Sequence, residues 1–151
     1  RIELAERAAV DEEDLPPLHQ EAFDAIERGD LAGAATAYEA ALAADPKDLD
    51  AQAGLATVGL MQRTQGVDLA SARAAAAQHP DDISAQALVA DLDLLGGHIE
   101  DAFGRLIELV KRTSGAQRTA ARDHLLQLFT VVGNQDERVK RGRTALMSAL
   151  F

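Results

Sequence analysis

The residues best suited to catalysis are few in this chain. It has four histidines, His19, His79, His98 and His124, and no cysteine. No two histidines stand three or four positions apart, so no helix presents a histidine pair to a metal. Ser71, Ser84, Ser114 and Ser148 sit in no strand–turn–helix elbow of the kind that exposes a nucleophile. Carboxylates are plentiful, but their spacing suits other roles. Asp11-Glu12-Glu13-Asp14 is a like-charge run, which stays solvated. Asp81-Asp82 suits a helix start, where a side-chain oxygen accepts from free backbone N–H groups. Asp91 and Asp93 are two apart and do not share a helix face. No calcium-loop spacing occurs. The chemistry that is left is non-covalent. We assign no catalytic residue, cofactor or metal ligand, and read the chain as a binding protein rather than an enzyme.

Composition points to packed helices. Of 151 residues, 47% are hydrophobic but only 3% aromatic, and alanine is the largest apolar contributor. Alanine loses no side-chain entropy in a helix and lets helices approach closely. No run of about 18 apolar residues exists to span a membrane, and no signal peptide is visible. The absence of cysteine fits a cytoplasmic location. The chain opens on Arg1 rather than Met, which implies a fragment or a processed chain. The net charge of −10 is uneven. Residues 1–46 carry 12 acids and 3 bases, residues 47–110 carry 10 and 4, and residues 111–151 carry 3 and 8. An acidic body argues against general nucleic-acid binding.

The elements that position these residues are marked by punctuation at a fixed period. Asp45-Pro46-Lys47-Asp48 and His79-Pro80-Asp81-Asp82 match in form, and their prolines are 34 residues apart. Proline cannot continue a helix and disfavours helical geometry in its predecessor. Each block therefore ends one helix, and its last Asp caps the next. Within repeats, Arg28-Gly29-Asp30-Leu31 and Gly96-Gly97-His98-Ile99 divide two helical patterns, with Gln65-Gly66-Val67-Asp68 between them. Leu31, Ala34, Ala35, Tyr38, Ala41 and Leu42 form a helical stripe, as do Ile99, Ala102, Phe103, Leu106, Leu109 and Val110. The spacing predicts eight helices, at about 16–28, 31–44, 49–63, 68–78, 83–95, 99–113, 117–132 and 136–149. The fold class is all-α, a solenoid of about four antiparallel helical hairpins. We divide it into an acidic linker or loose helix (1–15), three hairpins with a degenerate middle one (16–113), and a divergent C-terminal pair (114–151).

Gly29-Asp30-Leu31 through Ala34, Tyr38, Ala41-Leu42 and Asp45-Pro46 resembles the second half of the tetratricopeptide repeat. The third unit matches through Leu95-Gly96-Gly97, Ala102, Leu106 and Leu109, and the middle one through Leu55-Ala56 and Ala75 to Pro80. A wider resemblance rests on Ala22 to Pro46, the alanine helix ending His79-Pro80-Asp81-Asp82, Ile99 to Val110, and the closing stretches Leu125 to Phe129 and Leu146 to Phe151. These are similar to the C-terminal tetratricopeptide half of the bacterial thioredoxin-like co-chaperones, or chaperedoxins. That resemblance implies an upstream thioredoxin-fold domain carrying any redox cysteine. It also implies unfolded clients and the chaperonin or Hsp70 system as protein partners. A generic tetratricopeptide adaptor of another bacterial assembly, or a regulatory domain of an upstream enzyme, are the alternatives.

Two surfaces are expected to bind. The inner groove of such an array is lined by each hairpin's first helix, which nominates Phe23, Ile26, Thr57, Leu60, Asp91 and Leu94. The set is apolar with one acid, and lacks the Lys, Arg and Asn clamp that tetratricopeptide receptors use to grip a C-terminal carboxylate. Docking of an apolar segment is the better fit. The last helix is the second surface. Its exposed end should be polar if it only caps an array, yet Met147, Leu150 and Phe151 are apolar and Arg143 lies beside them. These four complete the candidate partner-binding residues.

Overall fold

The computed structural model describes residues 15–151, which form eight α-helices and no strand. They are α1 (Pro17–Glu27), α2 (Leu31–Ala44), α3 (Leu49–Thr64), α4 (Leu69–Gln78), α5 (Ile83–Leu95), α6 (Ile99–Arg112), α7 (Gly115–Val132) and α8 (Glu137–Leu150). The fold is an all-α, tetratricopeptide-like helical repeat. The acidic run Asp11 to Asp14, and the linker reading given to it, lies outside the described residues.

The helix starts follow from aspartate. Asp30, Asp68, Asp82 and Asp136 each stand at an N-cap and accept a hydrogen bond from a backbone N–H inside the first turn. Asp48 does the same for Ala51 at 3.0 Å. Each cap satisfies one of the donors a helix start leaves open and is worth about 1 kcal/mol. The stops at Gly29 and Gly97 have φ of +79° and +88°, where a side chain is strained. The helix bounds fall within two residues of those expected. The largest difference is the start of α7 at Gly115 rather than 117. Arg118 stabilises that tight corner: its Nε donates to the carbonyls of Val110 (3.1 Å) and Thr113 (2.8 Å).

The chain divides into two compact units, Arg1–Gln62 and Arg63–Phe151. In the first, α1 and α2 form a hairpin whose contact is made by alanine. Ala22, Ala25, Ala34 and Ala51 are fully buried, and Ala25, Ala34 and Val58 form a cluster against which Ile26, Leu31 and Tyr38 pack. Gly54 lies flat against the Tyr38 ring, which a Cβ at 54 would strike.

The second unit changes character along the chain. Its first hairpin, α4 and α5, again meets through alanine, with Ala72 and Ala76 against Val89. From α6 onward the filling is large. Leu106, Leu109, Leu125, Leu128 and Phe129 are fully buried, each contributing about 1.5–3 kcal/mol by leaving water. The Phe103 and Phe129 rings meet edge to face at 4.9 Å. α8 packs on α6 as well as on α7. Gly142 permits this approach, since a Cβ there would lie 2.7 Å from the Phe129 ring.

Candidate functional site

The expected groove residues separate by depth. Phe23, Ile26 and Thr57 are half-buried. The Thr57 hydroxyl donates to the Ala53 carbonyl at 2.8 Å, a bond within its own helix. Leu60, Asp91 and Leu94, expected to line the groove, have exposures of 1%, 1% and 3%. They are interior residues. The reason is geometric: the helix face that carries them is the face used for packing.

Asp91 has an internal task instead. Arg63 clasps its carboxylate side-on, Nε to Oδ2 at 2.8 Å and Nη2 to Oδ1 at 3.2 Å. His124 Nε2 meets Oδ1 at 2.7 Å. A carboxylate only accepts, so this ring nitrogen carries the proton. Burial pushes the Asp91 carboxyl up, but the hydrogen bonds from His124 and Arg63, with their charges, outweigh it and hold the group below its ordinary range. The last turn of α3 and the middles of α5 and α7 are thereby tied to one buried anion. Two residues further along α5, on a different face, Asp93 is also buried and takes a bond from Arg73 Nη2 at 2.5 Å. The two acids face different partners, as their spacing required.

α5 buries a third polar side chain, Gln86, at 3% exposure. Its Nε2 donates to the carbonyls of Ala76 (2.8 Å) and His79 (3.3 Å), and its Oε1 accepts from Arg105 Nη1 at 2.7 Å. None of these pairings was read from the sequence. A signal was present, since Gln86, Asp91 and Asp93 interrupt a largely apolar helix and buried polar groups require partners. Nothing in the spacing said which ones, because Arg63 and His124 lie 28 and 33 residues away.

On α8 the sequence expectation and the geometry meet more closely. Met147 is 64% exposed and Phe151 99%, while Leu150 is half-buried and Leu146 faces the core. Arg143 is tethered: its guanidinium lies 5.2 Å over the Phe129 ring, and Nη2 donates to Asn134 Oδ1 at 2.6 Å. Arg143 therefore fixes the foot of α8 and borders the apolar end. Among the described residues, no group of three or more His, Asp or Glu side chains is placed to hold a metal ion. No helix among them is long and apolar enough to cross a membrane.

A tetratricopeptide repeat family model matches residues 62–151, well over half of the chain. This chain belongs to the tetratricopeptide-repeat family. Its members are helical scaffolds for protein–protein interaction. Three curated relatives are each 35% identical over 151 aligned residues: the uncharacterized proteins Mb1359 of Mycobacterium bovis, and MT1366 and Rv1324 of Mycobacterium tuberculosis strains CDC 1551 and H37Rv. The alignment covers 95% of this chain and 48% of each relative, so the tetratricopeptide chain spans about half the length of the curated relatives it matches. No solved structure matches it.

Proposed function

We propose that this tetratricopeptide module serves a thioredoxin-like co-chaperone, holding unfolding clients and meeting the chaperonin or Hsp70 system. The apolar end of α8 is its main docking surface, with the half-buried Phe23, Ile26 and Thr57 as a second, shallower one. The observation that carries this reading is the exposure of Met147 at 64% on a helix whose opposite face is fully packed. An exposed, flexible thioether beside aliphatic and aromatic neighbours suits a surface that binds many apolar sequences. Support also comes from the curated relatives, whose length leaves room for a domain of thioredoxin size beside the matched half.

The test is suppression of aggregation of a heat-unfolding enzyme by this chain. We expect suppression near stoichiometric amounts. Met147→Asp with Leu150→Asp should weaken it several-fold without loss of helical circular dichroism. No suppression by the parent chain, or equal suppression by the variant, overturns the α8 assignment. Binding of purified chaperonin, measured on the same two proteins, separates client holding from partner docking.

A further inference from the structure

With no cysteine and no tryptophan in the sequence, its most peroxide-sensitive side chains are two methionine thioethers, Met61 and Met147. The fold treats them differently. Met61 is half-buried on α3. Met147 is exposed near the end of α8, where its neighbour Leu146 takes the core position. Oxidation of sulfur follows access, so a peroxide meets Met147 first.

The surroundings of Met147 suit a switch rather than a point of damage. Its backbone is held, since its carbonyl accepts from the Phe151 N–H at 3.1 Å. One turn earlier, Arg143 is fixed by Asn134 and the Phe129 ring. The buried face of α8 is made by Val139, Gly142 and Leu146. A change at the exposed sulfur therefore leaves the packing of α8 intact. It falls in the middle of the apolar end, because Leu150 and Phe151 lie three and four residues on and share that face.

We propose that Met147 is a reversible redox-modification site, whose oxidation withdraws the end of α8 as an apolar docking surface. The oxidant is a peroxide. A sulfur lone pair attacks one peroxide oxygen, the S–O bond forms and the O–O bond breaks. Sulfur loses two electrons to the peroxide. The proton on the transferred oxygen passes to the departing hydroxide, which leaves as water. The sulfoxide carries a polar acceptor oxygen where an apolar thioether stood. An apolar segment has no donor for that oxygen, so docking would bury it unsatisfied. A methionine sulfoxide reductase reverses the step. Two thiols supply two electrons and two protons and become a disulfide, and the oxygen leaves as water. The loss of docking rests on the α8 reading above, whereas the chemistry at Met147 does not.

The test treats the whole chain with hydrogen peroxide. It is followed by peptide mass mapping, circular dichroism and retention on a phenyl column. Met147 should gain one oxygen several-fold faster than Met61. Helical dichroism and the urea midpoint should stay as they were. The oxidised protein should elute earlier from the phenyl column and suppress aggregation several-fold less. Methionine sulfoxide reductase with a thiol reductant should restore both. Met61→Leu should respond as the parent does. Met147→Leu keeps an apolar side chain without sulfur, and should be indifferent to peroxide. Equal rates at the two methionines overturn the proposal. So does unchanged retention after full oxidation of Met147, or an undiminished peroxide response in Met147→Leu. If the reduced parent suppresses nothing, the docking reading falls, and mass and retention still decide whether Met147 is the switch.

Discussion

In the first unit helices meet through alanine, with Ala22, Ala25, Ala34 and Ala51 wholly enclosed. From α6 onward the second unit fills the same kind of helix contact with Phe103, Leu106, Leu125 and Phe129. It also buries a carboxylate cluster on α5. One hairpin geometry thus tolerates two fillings. Small residues bring backbones close and leave no room for growth. Large residues hold the helices apart and depend on every ring and branch being present. The two regions should fail in opposite ways, the alanine contact by enlargement and the aromatic core by truncation.

Truncation should have the largest effect. Phe129→Ala removes a fully buried ring, its contact with Phe103 and the seat of Arg143, and should cost about 4 kcal/mol in urea unfolding. A cost below about 1 kcal/mol would mean that the second unit repacks as freely as a core of small residues.

The buried anion comes next. Asp91→Ala leaves Arg63 and His124 facing an empty site and should cost about 3 kcal/mol, less than the full value for a buried pair because Arg63 is one-third exposed. The sign of its pH dependence is fixed. The folded carboxyl titrates below its unfolded value of about 3.9. Its contribution is complete above about pH 4 and is lost as pH falls through the lower folded value. Asp91→Asn should therefore be the less stable protein near neutrality, and should lose less stability than the parent on acidification to about pH 3. Parallel losses would place the acid sensitivity elsewhere.

Enlargement tests the first unit. Ala34→Leu adds three carbons at a fully enclosed site and should cost about 2 kcal/mol, read in the same unfolding experiment. A neutral outcome would erase the contrast between the regions.

The smallest effect is spectroscopic. Burial first, then Asp50 and Asp48, hold the Tyr38 phenol above its ordinary value. This is the chain's one tyrosine and there is no tryptophan, so phenolate absorbance reads it alone. Asp48→Asn should lower its midpoint, whereas Asp91→Asn should leave it unmoved.

Much of the fold was legible beforehand. Pro46, Pro80, Gly29 and Gly97 mark breaks that local sterics enforce wherever the segment sits, and the aspartate caps are equally local. Of the candidate site, exposure was legible only on α8. Met147 and Phe151 stood out as apolar residues on a closing helix, and they are exposed. Leu60, Asp91 and Leu94 were drawn into the groove by their place on first helices, whereas packing encloses them.

What the sequence determined by itself was each helix, its caps and its stops, because those depend on interactions spanning about four residues. Tertiary structure decided which partner each buried polar group would find: Arg63 and His124 for Asp91, Arg73 for Asp93, and Gln86 for one side of Arg105. Those partners lie 19 to 33 residues apart along the chain. At such separations side-chain spacing carries no directional information. Only the packed helices bring the groups within hydrogen-bond reach.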